Sequence, residues 1–188
     1  MARWEPGARE RLQEAALDLY ATKGFEETTV GEVAAAAGLT ERTFFRHFSD
    51  KREVLFAGTP LLEQSFVDRV ASAPAGASPL DVVARAVRGA NDYFAESRRP
   101  YSRRRQAVIA ANPELQERER NKMASFALSI AGALRERGVS EPTATLSAES
   151  GVTVFRIAFE AWVADGEERT IDEIEASLFD ELRSLTRP

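Results

Sequence analysis

Apolar positions recur at three- and four-residue spacings along nearly the whole chain, the period of helices that bury one face. Leu12, Ala15, Ala16, Leu19 and Tyr20 set the pattern over residues 8–23. Pro6 stands just ahead of that helix, where proline costs little, and Gly24 supplies its stop. Phe25 is expected to fold back as a core plug. In TTVGEVAAAAG, Thr29 and Glu32 sit three apart, the reciprocal capping arrangement. Val30, Val33, Ala34 and Ala37 give the short helix behind them one apolar face, and Gly38 ends it. Thr40 can cap the next helix at once. Two short helices joined by about three residues with a glycine make a helix-turn-helix.

The stretch GLTERTFFRHF, residues 38–48, mixes phenylalanines with charges in a way neither a buried nor a plain surface helix would. Phe44 and Phe48 are four apart and share a face. With Leu39 they can anchor the helix while Arg42, Thr43, Arg46 and His47 stay on the other side. Phe45 lies between the faces.

A fourth helix is expected from about Lys51 toward Val70, kinked at Gly58 and Pro60. ASAPAGASP, residues 71–79, reads as a loop. Further helices are expected at about 79–96, 101–111, 113–137, 142–164 and 171–186, and no stretch argues for a strand. The chain is predicted all-α, with about nine helices.

Composition narrows the chemistry. The 188 residues contain no cysteine, which excludes disulfides and thiolate sites, and a single histidine. No run reaches the roughly 18 apolar residues of a membrane span, and charges interrupt the first 20 residues where a signal peptide would be apolar. A cytoplasmic protein is expected. Glycine-rich phosphate loops, a nucleophile elbow and metal-spaced ligand clusters are missing from the sequence, so no enzyme, cofactor or metal is expected. Acid pairs such as Glu173 with Glu175 sit two apart and read as charged surface. Net charge is −5, from 25 Lys and Arg against 30 Asp and Glu. Distribution matters more: Arg42, Arg46, Lys51 and Arg52 face only Asp50 within residues 42–52, a local basic excess on an acidic chain.

The first fifty residues resemble the TetR family of bacterial transcriptional regulators. The resemblance covers about residues 9–56 and rests on ordered features: Tyr20-Ala21-x-x-Gly24-Phe25; Thr28-Thr29-Val30 leading to Val33-Ala34-x-x-Ala37-Gly38; then Leu39-Thr40-x-x-Thr43-Phe44-Phe45-x-His47-Phe48, with Lys51 following. It implies a helix-turn-helix DNA-binding domain over 1–56. It also implies an effector-binding and dimerisation domain over 57–188, pairing two subunits through the last two helices. The implied partners are a double-stranded DNA operator, a second copy of the chain and a small-molecule effector that the sequence does not identify.

Combined with side-chain chemistry, the resemblance makes Thr28, Thr29, Thr40, Arg42, Thr43, Phe45, Arg46, His47 and Lys51 candidate DNA contacts. Arginine to guanine is the commonest specific pairing; the bland alternative for Arg42 and Arg46 is a solvated face with an ion pair to Glu41 or Asp50. Thr40 and Thr29 are also explained as caps, and His47 as a packing residue. Lys51 reads as a phosphate anchor. Phe45 departs from the family's frequent tyrosine and cannot donate to phosphate, but offers apolar contact to a thymine methyl or a sugar edge. Arg3, Arg9 and Arg11 are within reach of a duplex in such a fold.

A second basic cluster, Arg98, Arg99, Arg103, Arg104 and Arg105, reads as a solvated or ion-paired turn around Pro100, with an effector or interdomain role as the alternative. Phe94, Met123, Phe126, Phe155, Phe159 and Trp162 are pocket or interface candidates, and a plain core explains any one of them. Val152, Phe155, Phe159 and Trp162, with Ile174, Leu178 and Leu182, would make an amphipathic pair suited to a four-helix dimer interface. The rival reading is a helical small-molecule-binding or scaffold protein that does not act on DNA.

Overall fold

The computed structural model describes residues 7–185. Pro6 and Arg3 lie outside the described residues. Among those described, the chain forms nine α-helices, three short 3-10 turns and no strand. It divides into two compact units, residues 1–57 with 103–119, and residues 58–102 with 120–188. The corner at 103–119 therefore clusters with the N-terminal helices, a grouping that the sequence division at residue 56 does not contain.

The first unit holds α1 (Ala8–Thr22), α2 (Val30–Ala36), α3 (Glu41–His47), a 3-10 turn at Glu53–Phe56, and the corner where α6 (Arg99–Ala110) ends and α7 (Pro113–Glu136) begins. Helix α1 buries Leu12, Ala16, Leu17 and Tyr20 along one stripe. Gly24, at φ 102°, reverses the chain in a conformation that side chains resist. Phe25 then plugs the core, its ring edge-on to Tyr20 at 5.1 Å. Burial pushes the Tyr20 phenol up, and its hydroxyl donates to the Lys51 carbonyl at 2.7 Å. Helix α2 carries the expected capping box: Glu32 N–H donates to Thr29 Oγ1 at 3.2 Å, and Thr29 N–H donates to Glu32 Oε2 at 2.9 Å. Hydrogen bonds from Lys23 and from Thr29 hold the Glu32 carboxyl down at about 2.

The second unit holds α4 (Thr59–Ala71), α5 (Pro79–Arg88), 3-10 turns at Asn91–Phe94 and Glu96–Arg98, the start of α6, most of α7, α8 (Thr143–Trp162) and α9 (Ile171–Leu185). Helix α8 is its centre, packed against both α5 and α9. Gly151 permits the approach to α5: a Cβ there would collide with Val83. Phe66 sets its ring edge-on to Phe126 and to Phe155, at 5.6 and 5.5 Å, which fixes α4, α7 and α8 around one apolar centre.

Three expected elements differ. The helix from Lys51 to Val70 is broken, because the chain passes through a 3-10 turn before Pro60 enters the first turn of α4, where its missing N–H costs nothing. The helix from 79 stops at Arg88 and yields to 3-10 turns instead of running to 96. Pro100 lies in the first turn of α6 and not in a turn between helices. Glu175 is a further correction: it is 1 % exposed, not charged surface. Burial, with Asp172 nearby, pushes its carboxyl up to about 8, and its Oε2 has no hydrogen-bond partner among the described residues. No helix among them is long and apolar enough to cross a membrane.

Candidate nucleic-acid interface

Seven residues are too few for a helix to stand alone in water, so α3 depends on what holds it. Thr40 caps its start, accepting from the Thr43 N–H at 3.3 Å. Phe44 and Phe48 are 0 % and 4 % exposed and form its anchor; each such burial is worth about 2–3 kcal/mol. Their rings lie 5.5 Å apart, and the Arg9 guanidinium covers Phe48 at 5.4 Å. The opposite face carries Arg42 and Arg46, with Phe45 between the faces, all three exposed. Neither arginine has a hydrogen-bond or ion-pair partner among the described residues, so the Glu41 and Asp50 pairings expected as the bland alternative do not form.

The other basic residues of the stretch are spent within the unit. The Lys51 ammonium donates to the carbonyls of Phe25, Glu26 and Thr28 at 2.9, 3.1 and 3.2 Å and lies 4.4 Å from the Phe25 ring centre. All three of its N–H groups are used. In the single chain Lys51 thus ties the turn after α1, a role its reading as a phosphate anchor did not include. Arg52 pairs with Asp50 and Glu114. Burial alone would push the Asp50 carboxyl up, but hydrogen bonds from the Arg52 side chain and from the Glu53 and Arg52 amides hold it below the usual range. The basic side chains of the stretch without a partner among the described residues are Arg42 and Arg46.

Thr28 is also engaged within the unit. It is 1 % exposed and its hydroxyl donates to the Gly24 carbonyl at 2.7 Å, so its side chain braces the turn. Thr29 is exposed but engaged in its cap, and Thr40 and Thr43 lie within 3.1 Å of each other at the start of α3. His47 is half-buried, with Nε2 inside the fold and unpartnered. Arg9 donates to the Ala57 carbonyl at 2.9 Å, whereas Arg11 is exposed.

In the second unit the candidate pocket aromatics form one continuous cluster. Phe94 touches Phe155, Phe159 and Trp162, with ring centres 5.5, 5.8 and 6.0 Å away. Phe126, Phe155 and Trp162 are buried, while Phe94, Met123 and Phe159 are half-buried. Of the residues expected at a subunit interface, Val152, Phe155, Trp162 and Ile174 are consumed by this unit's own core, which corrects their reading as a partner-facing surface. The large apolar side chains that α8 leaves exposed are Leu146 and Ile157, with exposed Thr153 between them in sequence. An open cleft of about 360 Å³ lies elsewhere, lined by Ala73, Pro79, Val82, Leu134, Arg137 and Val139, none of them anticipated from the sequence.

The second arginine cluster does not stay together. Arg99, 9 % exposed, donates to the carbonyl of Glu167, to that of Arg169 at 2.5 Å and to Glu96 Oε1 at 2.9 Å, and it lies over Trp162. Trp162 Nε1 donates to the same Glu96 oxygen at 3.0 Å; this bond and the Arg99 contact hold the Glu96 carboxyl down. Arg104 pairs with Asp18, and Arg105 with Glu119 and the Leu55 carbonyl. A polar link that sequence reading missed joins α4 to α7: Ser125 and Ser129 both donate to Glu63 Oε1, at 3.0 and 2.6 Å. The four-residue serine spacing was its only signal.

Residues 12–57 match the family model described as bacterial regulatory proteins, tetR family, and residues 77–186 match that of the MftR C-terminal domain. The chain is 28 % identical over 175 residues to the candidate mycofactocin biosynthesis transcriptional regulator MftR of Mycobacterium tuberculosis, covering 90 % of this chain and 86 % of that one. It is 38 % identical over 80 residues to the HTH-type transcriptional regulator TcmR of Streptomyces glaucescens, but that match spans 43 % of this chain and only 35 % of TcmR. The crystal structure of Thermus thermophilus FadR, a TetR-family transcriptional repressor in complex with lauroyl-CoA, superposes with a TM-score of 0.53 at 25 % identity, over 96 % of this chain and 95 % of that one. Two consecutive model matches that together take in most of the sequence, the second alone more than half of it, and an all-helical fold with a capped helix-turn-helix lead to one conclusion: the chain belongs to the TetR family of bacterial regulatory proteins.

Proposed function

We propose that this protein is a transcriptional repressor that binds a palindromic DNA operator as a homodimer and releases it when a small molecule binds. The observation that carries the reading is α3: a helix anchored by Phe44 and Phe48 that leaves Arg42 and Arg46 exposed and unpaired on the same side. Two free guanidiniums four residues apart suit the O6 and N7 acceptors of guanine in a major groove, and a good bidentate pair is worth about 1–3 kcal/mol of discrimination. Thr40, Thr43 and His47 flank them as backbone contacts. Each subunit would place α3 in one half-site, with the half-sites a helical turn or more apart. The protein would act in the cytoplasm, and no catalytic step belongs to this reading.

Subunit pairing is assigned to α8 and α9. Leu146, Ser150, Thr153 and Ile157 recur along one stripe of α8, and Leu178, Leu182 and Leu185 along one of α9. Leu146, Ile157 and Leu185 are exposed in the single chain, a cost that a second copy would relieve. The effector would enter among Phe94, Met123 and Phe159. The lauroyl-CoA bound by the Thermus repressor makes a fatty acyl thioester the first class to try. Such a ligand acts only through different affinities for the DNA-competent and DNA-incompetent states.

The test is selection of duplexes from a genomic fragment library by the purified protein at two salt concentrations. A palindromic motif that survives the higher salt is expected. Fragments enriched without a motif and lost on adding salt would reduce the interface to general electrostatics.

A further inference from the structure

Phe45 is 54 % exposed, the one large apolar side chain of the first unit left open to this degree among the described residues. Its ring stands edge-on to the buried Phe44 ring, 5.4 Å between centres at 81°. An exposed aromatic that is braced from beneath is a fixed apolar plate and not a loose side chain. It lies one residue before Arg46 and three after Arg42, so at about 100° per residue the plate stands beside the edge that the two unpaired guanidiniums share. The exposed surface thus has two kinds of chemistry: forked donors along one edge and a flat hydrocarbon surface beside them.

The surface of a DNA major groove offers few apolar groups. Base edges there present donors and acceptors, and the exception is the C5 methyl of thymine. Phosphate oxygens would be met better by a side chain with a hydrogen-bond donor, which Phe45 lacks. Covering a thymine methyl with the ring removes apolar surface from water on both partners. We infer that Phe45 is a specificity-determining residue that reads the methyl group of a thymine in each half-site, next to the guanines addressed by Arg42 and Arg46. The inference rests on the operator-binding reading above and adds to it a base identity that the arginines do not supply.

Deoxyuridine isolates the contact, because it keeps every hydrogen-bonding group of thymine and removes only the methyl. The probe is the duplex recovered by selection, with each thymine of the half-site replaced singly by deoxyuridine, in both half-sites together. At one such position binding by the native protein should weaken about fourfold per half-site, the value of one buried methyl. The Phe45→Ala variant, altered at an exposed position, should bind the thymine and deoxyuridine duplexes equally. A selected motif without thymine in its half-sites overturns the inference. So does a set of deoxyuridine duplexes that all bind the native protein like the parent, even if Phe45→Ala binds more weakly, since the ring would then meet sugar. A deoxyuridine penalty that persists in Phe45→Ala assigns the methyl to another residue. Recovery of no motif at either salt defeats the operator reading, and this contact with it.

Discussion

Arg42 and Arg46 differ from Lys51 and Arg52 in nothing the local sequence states; all four are basic and lie within eleven residues. The difference is what each meets after folding. Lys51 meets three carbonyls, Arg52 meets Asp50 and Glu114, and the other two meet solvent. Replacing both Arg42 and Arg46 by alanine should cut operator affinity at least about a hundredfold while leaving the helical circular dichroism intact; unchanged affinity would sink the groove assignment. Lys51→Met should do the opposite. It strips three carbonyls of a partner and should lower unfolding stability by about 1–3 kcal/mol. At temperatures where the variant is folded, the slope of log affinity against log salt should match the native protein. A slope smaller by about one would restore Lys51 as a phosphate ligand.

The helices are held by devices of two kinds. Caps are local: Thr29→Ala opens the box at α2 and should cost about 1 kcal/mol by denaturant melting, as N-cap losses do. Glu175 on α9 is tertiary in origin. Its carboxyl stays neutral in the fold up to about 8, whereas in an unfolded chain a glutamate ionises near roughly 4.3. Between those values the unfolded state binds fewer protons, so this group makes stability fall as pH rises, by at most about 1.4 kcal/mol per unit. Glu175→Gln should remove that slope and be the more stable protein above pH ~8. Parallel melting curves for the two proteins across that range would show that the carboxyl is solvated or paired.

For the assembled protein, the exposed stripe on α8 sets the expectation. Ile157→Arg should shift sedimentation from dimer to monomer without loss of helicity, and weaken operator binding through loss of the second half-site. A dimer that survives both Ile157→Arg and Leu146→Asp would move the subunit interface off α8. The grouping of residues 103–119 with the N-terminal helices bears on how the chain is dissected: a fragment ending at Ala57 lacks the Arg104–Asp18 and Arg105–Leu55 links of its own unit.

What could be read in the sequence was whatever depends on neighbours a few residues apart. Helical periodicity, the Thr29–Glu32 box, the turns at Gly24 and Gly38 and the anchoring of α3 by Phe44 and Phe48 all follow from spacing and backbone sterics, and all stand in the structure. The helix-turn-helix was legible for that reason. The fate of polar groups was not, because hydrogen bonds form between residues brought together from anywhere in the chain. Lys51 finds its carbonyls 23 to 26 residues away, Arg99 reaches across 68 and 70 residues, and Thr28 and Glu175 are buried by packing that no local pattern announces. Likewise the aromatics of α8 had an apolar face by sequence, but only the fold determined that the face was its own core, leaving Leu146 and Ile157 outside. A side chain's type says which bonds it can make; the tertiary structure decides which of them are already made.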